Sequence, residues 1–143
     1  MTDFNTVYDV FLAKVLEDEW TSWAYEEVQK DLLSLLKGAI SWFKFPRTPL
    51  DFNIEETGFV NNLSNMEIQI LANYMKCEWL ERTIMSWENV KPLYVERDFS
   101  QANLIDKLKN LLETVQKKTE RLESRYYRTK DGKIFDYSKL AGS

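Results

Sequence analysis

The sequence contains no histidine and a single cysteine, and both shortages narrow the chemistry open to the protein. Histidine is the usual general base near neutral pH and the most common metal ligand. Cys77 falls on an apolar helix face, where a buried free thiol is ordinary and a reactive one is not. Glycine-rich phosphate loops and the GxSxG motif do not occur. We therefore predict that the protein is not an enzyme, and we expect no cofactor and no metal.

Paired carboxylates are the remaining candidates for a reaction or metal site. Neighbouring acidic residues such as Glu26 and Glu27 diverge around a helix and do not converge on one substrate. Glu78 and Glu81 have ExxE spacing, but no ExxH motif follows to complete a di-iron bundle. A metal site built from carboxylates alone stays open as an alternative.

Glycine and proline are scarce, with four and three residues among 143, whereas 44% of the chain is hydrophobic and 14% aromatic. This composition favours long helices around one core. We predict a mainly α fold, a bundle of about four helices. Long hydrophobic runs are missing as well, since no stretch approaches the roughly 18 apolar residues of a membrane span. With no signal peptide at its polar N-terminus, the chain is expected to be soluble and made in a reducing cytoplasm.

Charge is divided unevenly along the chain. Residues 1–116 carry 11 basic against 19 acidic residues, and residues 117–143 carry 8 against 4. The net charge of −4 does not predict general affinity for DNA phosphates. An acidic body with a basic tail favours self-association or docking on an acidic partner, although a solvated helix end is an equally good interpretation.

Residues 63–90 are expected to form the helix around which the others pack. Ser64 and Glu67 have the spacing of a capping box at its start. The apolar residues of its more regular stripe form the predicted core: Ile68, Leu71, Met75 and Trp79. A second apolar stripe runs through Tyr74 and Ile84. A helix that is apolar on two sides needs neighbours on both, either in a bundle or at a subunit interface.

Three further helices are predicted. The first spans residues 4–18 with Asn5 or Thr6 as its cap, and the second spans about 22–43 until Pro46 ends it. The third begins near Asp98 or Ser100, and its heptad-like leucines favour packing along a partner. Trp20 and Trp23, between the first two helices, are predicted to turn inward at a corner. Residues 46–62 alternate as in a short hairpin or an extended arm.

The C-terminal segment has Asp131-Gly132 between two apolar–polar runs, which predicts a hairpin. We therefore divide the chain into a helical bundle, residues 1–125, and a hairpin or tail, residues 126–143. The tail carries more apolar groups than a free segment needs, so it either folds back on the bundle or binds a partner. Its candidate interface residues are Tyr127, Arg128, Ile134, Phe135, Tyr137 and Leu140.

The order of these features resembles the head-tail connector proteins of tailed bacteriophages, also called neck, adaptor or head-completion proteins. The resemblance covers most of the chain: TVYDVFLAKVLEDEW, a helix ending in AISWFKFP, then LSNMEIQILANYMKCEWLER and DFSQANLIDKL before a long charged helix. It implies a virion protein at the capsid portal vertex, assembled with copies of itself into a ring that is commonly twelve-fold.

In that family the ring lies between the portal protein and the next neck or tail protein, and it extends the channel through which DNA passes as non-specific cargo. C-terminal segments there often reach onto the portal, so the resemblance implies portal docking by the aromatic, basic tail. No membrane partner is expected. The alternative function is a small cytoplasmic helical adaptor or regulatory protein that binds one protein partner through its apolar helix faces.

Overall fold

The computed structural model describes residues 1–15, 20, 22–90, 99–130 and 133–134. Within these ranges the protein is mainly helical, as predicted. The described helices are α1 (Phe4–Lys14), α2 (Tyr25–Trp42), α3 (Asn65–Val90) and α4 (Phe99–Tyr127). The described strands are short: β1 (Thr2–Asp3), β2 (Phe52–Asn53), β3 (Gly58–Phe59), β4 (Thr129–Lys130) and β5 (Lys133–Ile134).

Helix α3 lies at the centre and packs against α1, α2 and α4. Contacts between side chains give the direction of each neighbouring helix relative to α3. The Lys76 ammonium group donates to the carbonyl of Lys14, so α1 runs parallel to the first half of α3. Arg82 pairs with Asp31 near the start of α2, and Glu88 pairs with Lys109 early in α4, so both of those helices run antiparallel to α3. The central position predicted for this helix is confirmed.

Both apolar stripes of α3 are covered by the bundle. The side chains of the first stripe, Ile68, Leu71, Met75 and Trp79, are all buried. Ile70, Tyr74 and Ile84 on the second stripe are buried as well. Because three helices surround α3, its burial needs no second subunit, and of the two settings predicted for it the bundle is the one observed.

Residues 50–60 form a hairpin that a third strand completes. Strands β2 and β3 are antiparallel, and β1 pairs with the other edge of β3 to give the order β1-β3-β2. The hairpin therefore lies on the bundle, where the Phe4 ring meets those of Phe52 and Phe59 edge-on.

The predicted cap of α1 is wrong, because Asp3 accepts from the backbone N–H of Asn5 at 2.8 Å. The sequence pattern missed β1 since two residues are too few to show alternation.

The connection between α1 and α2 differs from the prediction in two respects. Helix α1 ends at Lys14 instead of 18, because Val15 is extended and directs its side chain into the core. Trp20 turns inward as predicted, with its ring against Phe11 and its indole N–H donating to Asp31 at 2.7 Å. Trp23 does not, since 38% of it is exposed.

Helix α4 packs along α3 through one face. Its buried side chains include Ile105, Val115 and Thr119, and Thr119 satisfies its hydroxyl by donating to the carbonyl of Val115 at 2.7 Å. Leu104 and Leu111, which belong to the predicted heptad-like stripe, remain exposed. The partner that the long helix packs along is thus α3 of the same chain, and it covers only part of the apolar surface of α4.

Candidate docking surface at the end of the long helix

The C-terminal end of α4 is attached to the bundle through a buried carboxylate, Glu67. The predicted capping box is present: the Ser64 hydroxyl accepts from the Glu67 N–H at 3.2 Å, and Glu67 accepts from the Ser64 N–H at 2.8 Å. Glu67 also accepts from the N–H and hydroxyl of Thr48. The Tyr126 hydroxyl donates to the same carboxylate at 2.8 Å. One side chain therefore joins the start of α3, the segment after α2 and the end of α4.

Tyr126 extends this network to Arg47. Its hydroxyl accepts from the backbone N–H of Arg47 at 2.7 Å, and the Arg47 guanidinium lies 4.8 Å from the centre of the Tyr126 ring. The same guanidinium donates to the carbonyl of Tyr127 at 2.9 Å. The Tyr126 ring also packs edge-on against Phe43. Arg47 is thus held by stacking and by a hydrogen bond while its side chain stays at the surface.

Tyr127, the next residue, occupies the surface side of the same arrangement. Its hydroxyl donates to Glu123 at 2.9 Å and accepts from the Phe45 N–H at 3.1 Å. The Phe45 ring lies 6.2 Å from the Tyr127 ring, and 73% of Phe45 is exposed. An aromatic pair is therefore presented to solvent beside Arg47 and Arg128. We call Phe45, Arg47, Tyr127 and Arg128 the aromatic-basic surface.

The electrostatics of this region keep both tyrosines protonated and Glu67 charged. Burial raises the pKa of Tyr126 to about 12, opposed by the Arg47 N–H and reinforced by Glu67. Burial and the hydrogen bond to Glu123 raise the pKa of Tyr127 to about 12. Burial acts to raise the pKa of Glu67, but the hydrogen bonds from Ser64, Tyr126 and Thr48 outweigh it, and the pKa lies below the ordinary value.

Among the described side chains, Glu123 carries the buried oxygen that lacks a hydrogen-bond partner. Its Oε2 accepts from Tyr127, but its buried Oε1 has no hydrogen-bond partner. The Tyr74 hydroxyl lies close to it, since burial and then Glu123 raise the pKa of Tyr74. The Tyr127 hydroxyl is the hydrogen-bond partner of one oxygen of this buried carboxylate, and the bond orients the exposed Tyr127 ring.

The hairpin predicted at the C-terminus begins directly beyond this surface. Strand β4 pairs antiparallel with β5, with Thr129 opposite Ile134 and Lys130 opposite Lys133. Tyr127 and Arg128 lie at its base, and Ile134 lies in β5. Phe135, Tyr137 and Leu140 lie outside the described residues. The predicted division places the start of the tail at residue 126, but α4 continues through Tyr127 and the Tyr126 side chain is buried in the bundle.

Sequence reasoning missed two members of this surface, Phe45 and Arg47. Both follow α2 in a segment whose prolines indicated only where the helix ends. Their proximity to Tyr127 depends on a contact about 80 residues away along the chain, which no local pattern encodes. The one available signal is the capping-box spacing of Ser64 and Glu67, because it marks Glu67 as a side chain that bonds to backbone at the start of α3.

Within the ranges that the structure describes, no group of three or more cysteine, aspartate or glutamate residues has the geometry of a metal site. In the same part of the chain, none of the helices combines the length and hydrophobicity that crossing a membrane requires. Comparisons of the chain with protein-family models, curated proteins and solved structures found no match.

Proposed function

We propose that this protein is a structural neck protein of a tailed bacteriophage, which forms a ring between the portal and the tail. In this function it extends the DNA channel and provides a platform for the next neck or tail protein. The observation that carries the proposal is the aromatic-basic surface, which is exposed, rigidly held and placed at the base of a C-terminal hairpin. The order of sequence elements that resembles head-tail connectors supports the same function.

The rigidity of this surface suits docking on a large assembled partner. Tyr127 and Arg47 each have two contacts that hold them in place, so little side-chain entropy is lost when they bind. Tyrosine and arginine are also the residue types that contribute most to protein interfaces. An acidic surface on the portal would complete the contact through Arg47 and Arg128.

The hairpin is the second part of the proposed contact. Its two strands present backbone groups on both outer edges, and an isolated two-stranded hairpin is marginal in water. An exposed strand edge of the portal would add ladder hydrogen bonds to it, and Ile134, Phe135 and Tyr137 would fill pockets beside that edge. We propose that Leu140 makes a further apolar contact with the portal.

Deletion of residues 129–143 tests the proposal. Because Tyr126, Tyr127 and their partners all precede the deletion, we expect a folded helical protein that melts near the parental temperature. The portal protein encoded in the same gene neighbourhood should bind the parent and form stacked rings by negative-stain microscopy, whereas the truncated chain should not bind. A truncated protein that still joins the portal, or one that unfolds, contradicts the docking role.

A point variant with a matched control separates the surface from the hairpin. Phe45→Ser removes an exposed ring and should weaken portal binding with little change in melting temperature. Ile54→Ser removes an apolar side chain that is 53% exposed from the β2–β3 turn, outside the aromatic-basic surface, and should leave binding intact. Equal effects of the two variants, or parental binding by both, would argue against this surface. If the parent binds no portal but captures one cytoplasmic protein, the alternative adaptor function is favoured instead.

A further inference from the structure

One flank of α4 combines exposed leucines with basic residues. Leu104, Lys107, Leu111 and Lys118 follow a helical spacing of three, four and seven residues, which aligns them along one side of the helix. All four are exposed, and the positions that continue this line carry Thr114, Arg121 and Arg125 but no acidic residue. In the described part of the chain, the ion pairs of α4 involve Lys109 and Lys117 instead. We call the first four residues the basic flank.

The basic flank lies on the α1 side of the bundle. The Lys76 ammonium group on α3 donates to the Lys14 carbonyl at 3.1 Å, and burial, Lys118 and Lys76 together lower the pKa of Lys14. The opposite flank of α4 faces the end of α2, where Gln116 and Glu120 line a groove with Trp42. The positive charge of α4 is therefore displaced toward the end of α1.

A groove of complementary character lies on the other side of α1. Its cavity of about 580 Å³ lies between α1 and the start of α2 and contains polar, apolar and aromatic side chains. Leu12, Trp23 and Tyr25 leave 37%, 38% and 71% of their surfaces exposed there, and Asp9 is the charged residue in its lining. Since Leu12 and Lys14 are two residues apart, they point to opposite sides of α1. We call Asp9, Leu12, Trp23 and Tyr25 the acidic groove.

We propose that the basic flank of one copy of this chain docks in the acidic groove of a second copy. The exposed leucines supply the apolar side chains for an aromatic-lined groove, as when a helix binds in a groove. Lys107 or Lys118 pairs with Asp9, and Glu26, the residue after Tyr25 of the groove, adds a second negative charge at the start of α2. The exposure of Leu104 and Leu111 in a helix otherwise packed on α3 is then explained by burial between copies.

This contact joins two different surfaces of the same chain, so it is heterologous. Such contacts repeat from copy to copy and give a ring if the rotation closes, or an open filament if it does not. In the ring of the proposed function, this contact joins neighbouring copies, and its assignment to the ring rests on that function. The contact itself requires only this chain.

Disulfide trapping between two variants that each carry one added surface cysteine tests the contact. Lys107→Cys and Tyr25→Cys are each oxidised alone and then as a mixture, with the parent as the control for buried Cys77. We expect crosslinked dimers only in the mixture, and a ladder of oligomers from a chain that carries both substitutions. The pair Ile54→Cys and Tyr25→Cys is the matched control that should not crosslink. A mixture yield no higher than this control, or equal crosslinking of each variant alone, overturns the proposal.

A charge exchange tests the pairing within the contact. In the crosslinking mixture, Asp9→Lys on the Tyr25→Cys partner should lower the dimer yield roughly two- to fivefold, the range expected for an exposed ion pair. Lys118→Asp on the other partner should restore part of the loss, whereas Asp51→Lys should have no effect. The pairing of Asp9 with Lys118 is contradicted if Lys118→Asp does not restore the dimer yield and Asp51→Lys lowers that yield as much as Asp9→Lys does.

The two proposals fail in distinguishable ways. Crosslinked ladders without portal binding keep the contact between copies and reject the neck function. Portal binding without crosslinks keeps the neck function and rejects the contact between copies. The outcomes are separate because the portal assay depends on the aromatic-basic surface, whereas the crosslinks depend on the basic flank and the acidic groove.

Discussion

Helices α3 and α4 are similar in length and both carry apolar residues at helical spacing, yet they have different surroundings. Helix α3 is enclosed by three helices, so both of its apolar stripes are buried. Helix α4 has α3 on one face and leaves Leu104, Leu111 and a line of basic residues exposed. The difference shows that an apolar pattern predicts burial of a helix face but does not identify the element or subunit that packs on it. Helix α3 supplies stability, and α4 offers the surfaces that we propose for assembly.

The largest expected effect contrasts one core residue with one flank residue. Trp79→Ala on α3 removes a buried indole and should lower the free energy of unfolding by about 3–5 kcal/mol. Leu111→Ala on α4 should change it by no more than about 0.5 kcal/mol, since that side chain is exposed. Urea unfolding followed by circular dichroism measures both. If the two variants lose comparable stability, the distinction between the helices is wrong.

The next effect concerns Glu67, where the two helices are joined. Glu67→Gln should destabilise the fold by about 1–3 kcal/mol at neutral pH, because a buried acceptor of several hydrogen bonds is replaced by an amide that also brings donors. Folding lowers the pKa of Glu67 below its ordinary value of 4.5. Its stabilising contribution is therefore complete above that value and is lost as the pH falls through the lowered pKa.

Melting temperatures recorded from neutral to acidic pH test this prediction. The parent should lose its advantage over Glu67→Gln as the pH drops below about 4.5, so the two curves should converge. Glu55→Gln, in the exposed β2–β3 turn, is the matched control and should follow the parent throughout. Curves that stay parallel down to acid would show that the charge of Glu67 is not what joins α3 to α4.

A smaller effect is expected from charge at the end of α4. Arg125→Glu combined with Arg128→Glu should weaken portal association at low salt, and the difference from the parent should shrink as salt rises, since exposed charges are screened beyond about 10 Å at 0.1 M. Lys30→Glu with Lys37→Glu makes the same charge change on α2 and should leave association unaffected. Portal binding that does not respond to salt would favour apolar docking through Phe45 and Tyr127 alone.

The smallest effect belongs to the outer face of α4. Glu113 and Lys117 form an exposed pair at i,i+4, with N···O at 2.8 Å and the acidic residue nearer the N-terminus. Lys117→Ala should lower stability by no more than about 0.5 kcal/mol, and less at high salt. Comparing denaturant midpoints at low and high salt resolves this. A loss above 1 kcal/mol would mean that this face takes part in packing.

The local part of the structure follows from the sequence. Residues 63–90 contain a capping box, apolar stripes at helical spacing and no proline, which suffice to predict α3 and the burial of Met75 and Trp79. The C-terminal hairpin is predicted by Asp131-Gly132 for the same reason, since turn chemistry is local. Helical periodicity and caps depend on residues a few positions apart, so these elements can be identified without the fold.

Contacts between distant residues were decided only by the tertiary structure. Strand β1 exists because Thr2 and Asp3 meet the free edge of β3, some 56 residues away. The aromatic-basic surface exists because Glu67 and Glu123 hold two consecutive tyrosines against the segment after α2. The exposure of Leu104 and Leu111 depends on how much of α4 one neighbouring helix covers. Periodicity shows which side chains avoid water, but the packing of the bundle determines which of them remain at its surface.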